Sequence, residues 1–173
     1  MYDYLTEPLD ASDLVSPFRC SDPATESWLG NSALAQQLAD LTRTFVMRAP
    51  DPHPSLPPVL GYYNLATVSL DAFHKPNRRQ PILTPVLNLI RFGVHADVER
   101  RGIGQHLLLD ALTRAVELAD TAGCMGIIAS APSEYAKHWL AQRGFNELGT
   151  GVPTNMLLPM RMARRVVRAA SGG

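Results

Sequence analysis

The chain has 173 residues, 46% of them hydrophobic, which suits one well-buried core and is short for two domains of usual size. Its formal charge of zero is a cancellation, because residues 1–51 contain eight acidic and three basic residues whereas residues 52–173 contain eight acidic and thirteen basic residues. The composition excludes a membrane span, a signal peptide and a zinc site at Cys20 and Cys124, so a cytoplasmic protein without a metal is expected.

The first half of the chain predicts a helical layer followed by a hairpin. After a short strand near the N-terminus, Asp22 fits an N-cap and Pro23 a first helical residue, in a helix that continues to Leu41. Strands are expected at residues 43–49 and 59–73, and they pair as a hairpin across a proline-rich loop.

The second half predicts a strand, helix, strand unit. A turn leads to an apolar strand at residues 86–96, and a helix of period 3.6 covers residues 103–122 and stops at Gly123. A strand at 124–131, a short helix from the N-cap Ser133 to Gly144 and a strand at 155–160 complete an α/β fold with a mixed sheet. We predict one domain over residues 1–160 and a basic, flexible tail over 161–173.

The stretch VERRGIGQHLL, residues 98–108, predicts an anion site at the start of the long helix. The first amides of a helix have no partner within it, and they attract anions together with the helix dipole. Glycines at 102 and 104 leave the backbone accessible, and Arg100 and Arg101 add charge. A dinucleotide fingerprint would need glycine at Leu107, and a P-loop would need Gly-Lys-Ser/Thr, so both are excluded.

Gly93 lies in the strand that leads into this loop. A glycine inside an apolar strand often marks a bulge, where free backbone groups face a ligand. The pair of features therefore predicts an extended polar ligand along the strand, with its pyrophosphate on the loop.

The stretch FGVHADVERRGIGQHLLLDAL resembles the central strand, R/Q-x-x-G-x-G/A loop and helix of the GNAT N-acetyltransferase superfamily. The resemblance implies the GNAT fold, a mostly antiparallel mixed sheet splayed at a central bulge, with helices on both faces. It also implies that strand amides pair with the pantetheine of acetyl-CoA and that loop amides hold its pyrophosphate. The implied cofactor residues are Phe92, Val94, Glu99, Arg100, Arg101, Gly102, Ile103, Gly104, Gln105 and, at the next helix, Ser133.

Further stretches are similar to the GNAT toxins of type II toxin-antitoxin modules, which acetylate the amino acid on charged tRNA. These stretches are FRCSDPATESWL (18–29), RTFV (43–46) and GYYNLA (61–66), in the same order as in that group. The resemblance covers about residues 1–160, and it implies a homodimer, a charged tRNA as acceptor and a ribbon-helix-helix antitoxin as partner.

Two positions depart from the family pattern. Glu99 opens the loop where glutamine or arginine is usual, and beside it Arg100 and Arg101 offset its charge. Leu140 stands where the family carries a tyrosine, four residues before Gly144. A phenol that protonates the departing thiolate contributes typically about 10² to 10⁴ in rate, and leucine cannot do this.

Candidate substitutes for that tyrosine follow from the chemistry of nearby side chains. Ser133 begins the short helix, where an N-cap role is the simpler interpretation. Tyr135 and His138 have suitable groups, although neither shares a helix face with Leu140. Tyr62 and Tyr63 alternate on the hairpin, so that one of them faces the sheet side opposite to the other.

Basic residues outside the loop are candidates for contacts with the phosphates of tRNA, or else are solvated surface residues. Those singled out are Lys75, Arg78, Arg79, Arg161, Arg164, Arg165 and Arg168. Three functions stay open: acetylation of an aminoacyl-tRNA α-amine, acetylation of a protein or small amine, and a degenerate GNAT-fold binding module in which Leu140 marks lost catalysis.

Overall fold

The structure is a computed structural model that describes residues 5–50, 55–70, 84–149 and 153–172. The strands are β1 (Thr6–Pro8), β2 (Arg43–Arg48), β3 (Val59–Leu70), β4 (Thr84–Val94), β5 (Gly126–Ala131), β6 (Asn146–Glu147) and β7 (Thr154–Pro159). The helices are α1 (Pro23–Asn31), α2 (Ala33–Leu38), α3 (Ile103–Ala122), α4 (Glu134–Ala141) and α5 (Met160–Ser171). Within these residues, no helix is both long and apolar enough to cross a membrane.

The strands form one sheet in the order β1-β2-β3-β4-β5-β7-β6, which confirms the α/β class. The pairs β1–β2, β2–β3, β5–β7 and β6–β7 are antiparallel. The chain divides into two compact units, Met1–Ala66 with Leu89–Ala111, and Thr67–Asn88 with Leu112–Gly173. The predicted domain limits at residues 1 and 160 stay a prediction.

The first unit is built on the β2–β3 hairpin, which the sequence predicted. Both hairpin tyrosines are fully buried. Tyr62 stacks on Trp28 and donates its hydroxyl to the Thr25 carbonyl oxygen at 2.6 Å, whereas Tyr63 stacks on Phe45 and donates to the Asp110 carboxylate. The alternation of the two side chains is confirmed, and both of them serve packing.

The predicted helix cap in this unit is confirmed, and the predicted helix length is wrong. Asp22 caps α1 by accepting from the Thr25 amide at 3.0 Å, and Pro23 is the first helical residue. The helix does not continue to Leu41, because Ser32 leaves the helical conformation at φ −131° while its amide closes α1 on the Trp28 carbonyl. Leu41 is consequently 65% exposed.

The second unit contains β5, β6 and β7, with α4 and α5 beside them. Ser133 caps α4 as predicted, and Gly144 follows the helix at φ +90°, a conformation that favours glycine. Gly126 lets β5 approach β7, since an added Cβ would lie 2.6 Å from the Leu158 carbonyl oxygen. The sequence missed β6, which has two residues and is too short to show an alternating pattern.

The predicted flexible tail is instead the helix α5. Met160 and Ala163 are buried on one side of it, and the Met160 amide donates to the Met125 carbonyl oxygen at 2.8 Å. This apolar side lies against β5 and β7. Tertiary packing therefore orders a segment that its basic composition alone predicts to be a flexible tail.

Candidate functional site

The glycine loop lies in the first unit, at the end of β4 and the start of α3. The His95 amide donates to the Leu60 carbonyl oxygen at 2.8 Å, which ties the end of β4 to β3. A Cβ on Gly61 would lie 2.7 Å from Leu107 Cδ1 and 2.9 Å from the Gly93 carbonyl oxygen. The start of α3 therefore sits directly on the two strands, and a glycine at 61 is required for this approach.

His95 orients the chain between β4 and the loop. The side chain is 2% exposed, with Nε2 3.0 Å from the Pro17 carbonyl oxygen and Nδ1 3.2 Å from the Asp97 amide. Because Nδ1 accepts from that amide, Nε2 carries the proton and donates to Pro17. The histidine thus caps a short 3₁₀ turn, Ala96–Val98, just before the loop.

Two residues of the loop have left-handed backbone conformations, Arg100 at φ +61° and Gly102 at φ +83°. The conformation is costly for a side-chain-bearing residue such as Arg100, and strain of this kind concentrates at functional sites. An added Cβ on Gly102 would meet nothing within 4 Å, so the space beside it is open. The sequence predicts that Gly102 gives access to the backbone, and the structure shows that it also adopts a conformation that favours glycine.

The backbone amides of the loop are available to a ligand. In the described part of the chain, no acceptor faces the amides of residues 101–104, whereas the Gln105 and His106 amides donate to the Gly102 carbonyl oxygen at 3.0 and 3.3 Å. Left-handed residues interspersed among the others turn successive amides toward one side, an arrangement that binds anions. The helix N-terminus adds its dipole at the same place.

The charged side chains of the loop, Glu99, Arg100 and Arg101, are all exposed. Burial raises the pKa of the Cys20 thiol, and the charges of Asp22, Glu26 and Glu99 act in the same direction. Glu99 is therefore near enough to Cys20 for its charge to act there. The thiol stays protonated at neutral pH, which makes Cys20 unsuited to act as a nucleophile.

The structure places the predicted pantetheine-binding residues on β4, just before the loop. Phe92 and Val94 are half-buried on β4, two residues apart and so on the same side of the strand. Gly93 is buried on the other side, where an added Cβ would lie 2.9 Å from Thr25 Cγ2. This glycine lets α1 pack on β4, and the bulge expected there stays a prediction.

The position at which the sequence resemblance predicts the family tyrosine lies in the second unit. Leu140 is 7% exposed on α4, and its carbonyl oxygen accepts from the amides of Arg143 and Phe145 at 2.9 and 3.3 Å. Tyr135 is 76% exposed. Ser133 Oγ accepts from the Ala136 amide at 3.2 Å, so its hydroxyl serves as the helix cap.

The basic residues singled out for RNA contacts fall into two groups. Lys75, Arg78 and Arg79 lie outside the described residues. Arg161, Arg165 and Arg168 are exposed on α5, and Arg164 pairs with Asp120 at 2.5 Å. Their spacing of three, one and three residues places all four on one face of the helix, which a flexible tail would not do.

Comparison with known proteins assigns the chain to a family. No protein-family model matches it. A tRNA-acetylating toxin of Mycobacterium tuberculosis (strain ATCC 25618 / H37Rv) is 32% identical over 161 residues, which cover 91% of this chain and 92% of that protein. The chain belongs to the family of the tRNA-acetylating toxins.

Solved structures of similar toxins share the fold. A tyrosine-to-phenylalanine variant of AtaT, bound to the C-terminus of the antitoxin AtaR and acetyl-CoA, has a TM-score of 0.77 at 20% identity and covers 95% of this chain and 97% of its own. AtaT complexed with acetyl-methionyl-tRNAfMet has a TM-score of 0.78 at 20% identity, covering 94% and 98%. These similarities confirm the predicted GNAT fold.

Proposed function

We propose that the protein is an acetyl-CoA-dependent N-acetyltransferase whose acceptor is the α-amine of an aminoacyl-tRNA, acting as the toxin of a toxin-antitoxin module. The observation that supports this most strongly is the identity of 32% with a tRNA-acetylating toxin over 91% of the chain. The anion-binding loop at the start of α3 adds an independent physical argument.

The loop fits the pyrophosphate of coenzyme A. Free amides at residues 101–104 supply hydrogen-bond donors, the open space at Gly102 lets phosphate oxygens approach the backbone, and Arg100 and Arg101 supply positive charge. The side of β4 that carries Phe92 and Val94 is the side we assign to the pantetheine. The cofactor, when bound, brings the acetyl thioester that an amine attacks.

The residue at position 140 decides whether the departing thiolate of coenzyme A receives a proton from helix α4. The Leu140 side chain has no proton to give to the departing thiolate. Transfer then relies on holding the amine against the thioester, and orientation of this kind supplies about 7–11 kcal/mol of the barrier in favourable cases. We infer a working but slower enzyme, in which Ser133 and Tyr135 stay candidates for a substitute donor.

The acceptor is a polyanion, and basic surface residues suit it. We assign phosphate contacts to Arg161, Arg164 and Arg165 on α5, and to Lys75, Arg78 and Arg79 in the segment beyond β3. Because Arg164 also pairs with Asp120, its contact with RNA competes with this ion pair.

The partners follow from the same assignment. We infer a homodimer that acts in the cytoplasm, and an antitoxin that covers the protein with a C-terminal segment. The complex of AtaT with the C-terminus of AtaR supports that kind of contact.

Transfer of labelled acetyl from acetyl-CoA to a pool of charged tRNA tests the function. Label is expected on charged tRNA in a salt-sensitive reaction, and not on the same tRNA after deacylation. Label on lysine-containing peptides or small amines instead would favour an acetyltransferase that acts on a protein or a small amine. Binding of acetyl-CoA without any transfer would favour a degenerate binding module.

A further inference from the structure

Helix α4 leaves an aromatic side chain in solvent. Tyr135 is 76% exposed, whereas Tyr62 and Tyr63 on β3 are fully buried. Exposed tyrosine is enriched where proteins contact partners, because the ring offers a large apolar face at a small cost in side-chain entropy. A single ring of this kind is ordinary on a surface, so its neighbours decide what it can bind.

The neighbours of Tyr135 are a second aromatic ring and a cation. Trp139 follows at i+4, the spacing at which two side chains of a helix lie side by side. The central carbon of the Arg143 guanidinium lies 3.7 Å from the centre of the Trp139 ring, and its Nη1 donates to the Trp139 carbonyl oxygen at 2.7 Å. The guanidinium is therefore held over one face of the tryptophan.

Tyr135 and Arg143 also lie close together. Burial lowers the pKa of the Arg143 guanidinium, and the charge of the Tyr135 phenol acts on it in the opposite direction. The two side chains are therefore near enough for their charges to interact. Tyr135, Trp139 and Arg143 form one cluster at the surface of α4, which we call the α4 stacking face.

The charge of this face is not neutralised by the protein. In the part of the chain that the structure describes, no ion pair includes Arg143. The nearby acidic residues Glu134 and Glu147 act on a different cation, Lys137, whose Nζ lies 3.0 Å from the Glu147 carboxylate. An exposed ring beside an unneutralised arginine suits a partner that has both flat rings and negative charge, which is the chemistry of an unpaired nucleotide.

We propose that the α4 stacking face binds the unpaired nucleotides at the 3′ end of the charged tRNA. This inference rests on the proposed function, in which the reacting amine is attached to that end. The Tyr135 ring stacks on one base, and the side of the Arg143 guanidinium that faces away from Trp139 contacts the next base or its phosphate. Every base has a flat face, so this surface adds affinity without selecting a sequence.

Removal of the exposed ring is the first test. Tyr135→Ala is expected to weaken the binding of fluorescently labelled tRNA about tenfold at constant salt, because one base–aromatic stack is lost. Tyr135→Phe keeps the ring and is expected to bind as the wild type does. Both variants are expected to keep the wild-type melting temperature, since the side chain is exposed.

Shortening the RNA is the second test, because it identifies the part of the tRNA that contacts the face. A tRNA that lacks its single-stranded 3′ nucleotides is expected to bind equally to the wild type and to Tyr135→Ala. Arg143→Lys keeps the charge but not the planar guanidinium, and is expected to weaken binding of the full-length tRNA about threefold. Leu38→Ala is the matched control: it removes a side chain of α2 that is 77% exposed, and binding should not change.

Several results would overturn the proposal. Equal binding of full-length tRNA by the wild type and Tyr135→Ala would do so, and so would a loss in Tyr135→Ala that persists on the shortened tRNA. A fall in acetyl-CoA affinity of Tyr135→Ala, measured by calorimetry, would assign the face to the adenine of the cofactor. A loss of kcat in Tyr135→Phe, with unchanged tRNA affinity in Tyr135→Ala, would make Tyr135 a proton donor.

Failure of the proposed function is a different result. In each of the cases above the wild type still transfers acetyl to charged tRNA, and only the role of α4 changes. A wild-type protein that transfers no acetyl to any charged tRNA would remove the proposed function, and the assignment of the α4 stacking face with it.

Discussion

The glycine loop and helix α4 both resemble the family pattern, but the loop contains the features that its predicted role needs and α4 lacks one of them. The loop keeps every physical requirement of an anion site: left-handed residues at 100 and 102, free amides and a helix N-terminus. Helix α4 has its cap at Ser133 and its glycine stop at Gly144, yet it carries the buried Leu140 at the position where the sequence predicts the family tyrosine. The residues of the loop therefore suit binding of the cofactor, whereas Leu140 cannot donate a proton, and the two properties can be tested separately.

The largest expected effect is a gain of function at position 140. Leu140→Tyr restores a phenol, and kcat for acetyl transfer to charged tRNA is expected to rise about 10²-fold. Leu140→Phe is the matched control, since it adds the same ring without a hydroxyl and should bring no gain. Equal rates for both variants would mean that another group already donates the proton.

The next largest expected effect is a loss of acetyl-CoA binding at the glycine loop. Gly102→Val forces a β-branched residue into φ +83° and fills the open space beside the loop, so acetyl-CoA affinity is expected to fall at least about tenfold. Gly30→Ala is the control, because Gly30 lies in α1 with no atom near an added Cβ and no left-handed conformation. Calorimetric titration with acetyl-CoA would show whether the two variants differ.

A smaller expected effect shows whether the Ser133 hydroxyl acts only as a helix cap or also as a proton donor. Ser133→Ala removes the oxygen that accepts from the Ala136 amide, so the free energy of unfolding is expected to fall by about 1 kcal/mol. If the hydroxyl is only a cap, kcat stays at the wild-type value, and Ser133→Asp restores stability. A large loss of kcat in both variants would instead make Ser133 the missing proton donor.

The smallest effect concerns the basic face of α5. Arg165→Ala removes one exposed charge, and the slope of log affinity for charged tRNA against log salt is expected to become shallower by about one. Affinity for acetyl-CoA should not change. An unaltered salt slope would remove α5 from the RNA contacts and leave the loop assignment as it stands.

Local rules allowed much of this fold to be predicted. The limits of α3, the caps at Asp22 and Ser133 and the stops at Gly123 and Gly144 depend on residues within a few positions of each other. The ordering of α5 depends on packing against β5 and β7, which a periodic pattern does not report. The break at Ser32 has no sequence signal such as a proline or a glycine at that position.

The candidate site divides in the same way. The anion-binding loop could be predicted from the sequence because its glycines and arginines lie within a few positions of each other. The cap formed by His95 and the left-handed conformation of Arg100 could not be predicted, because they depend on the distant Pro17 carbonyl oxygen and on backbone geometry that a local pattern does not report.

The central claim is that the loop at residues 99–105 holds the pyrophosphate of acetyl-CoA. Calorimetric titration of the purified protein with acetyl-CoA tests it most directly, since the result does not depend on the acceptor or on a proton donor. We predict one binding site per chain, retained in Leu140→Phe and weakened at least about tenfold in Gly102→Val. Absence of binding by the wild type, or equal binding by Gly102→Val, would contradict the account.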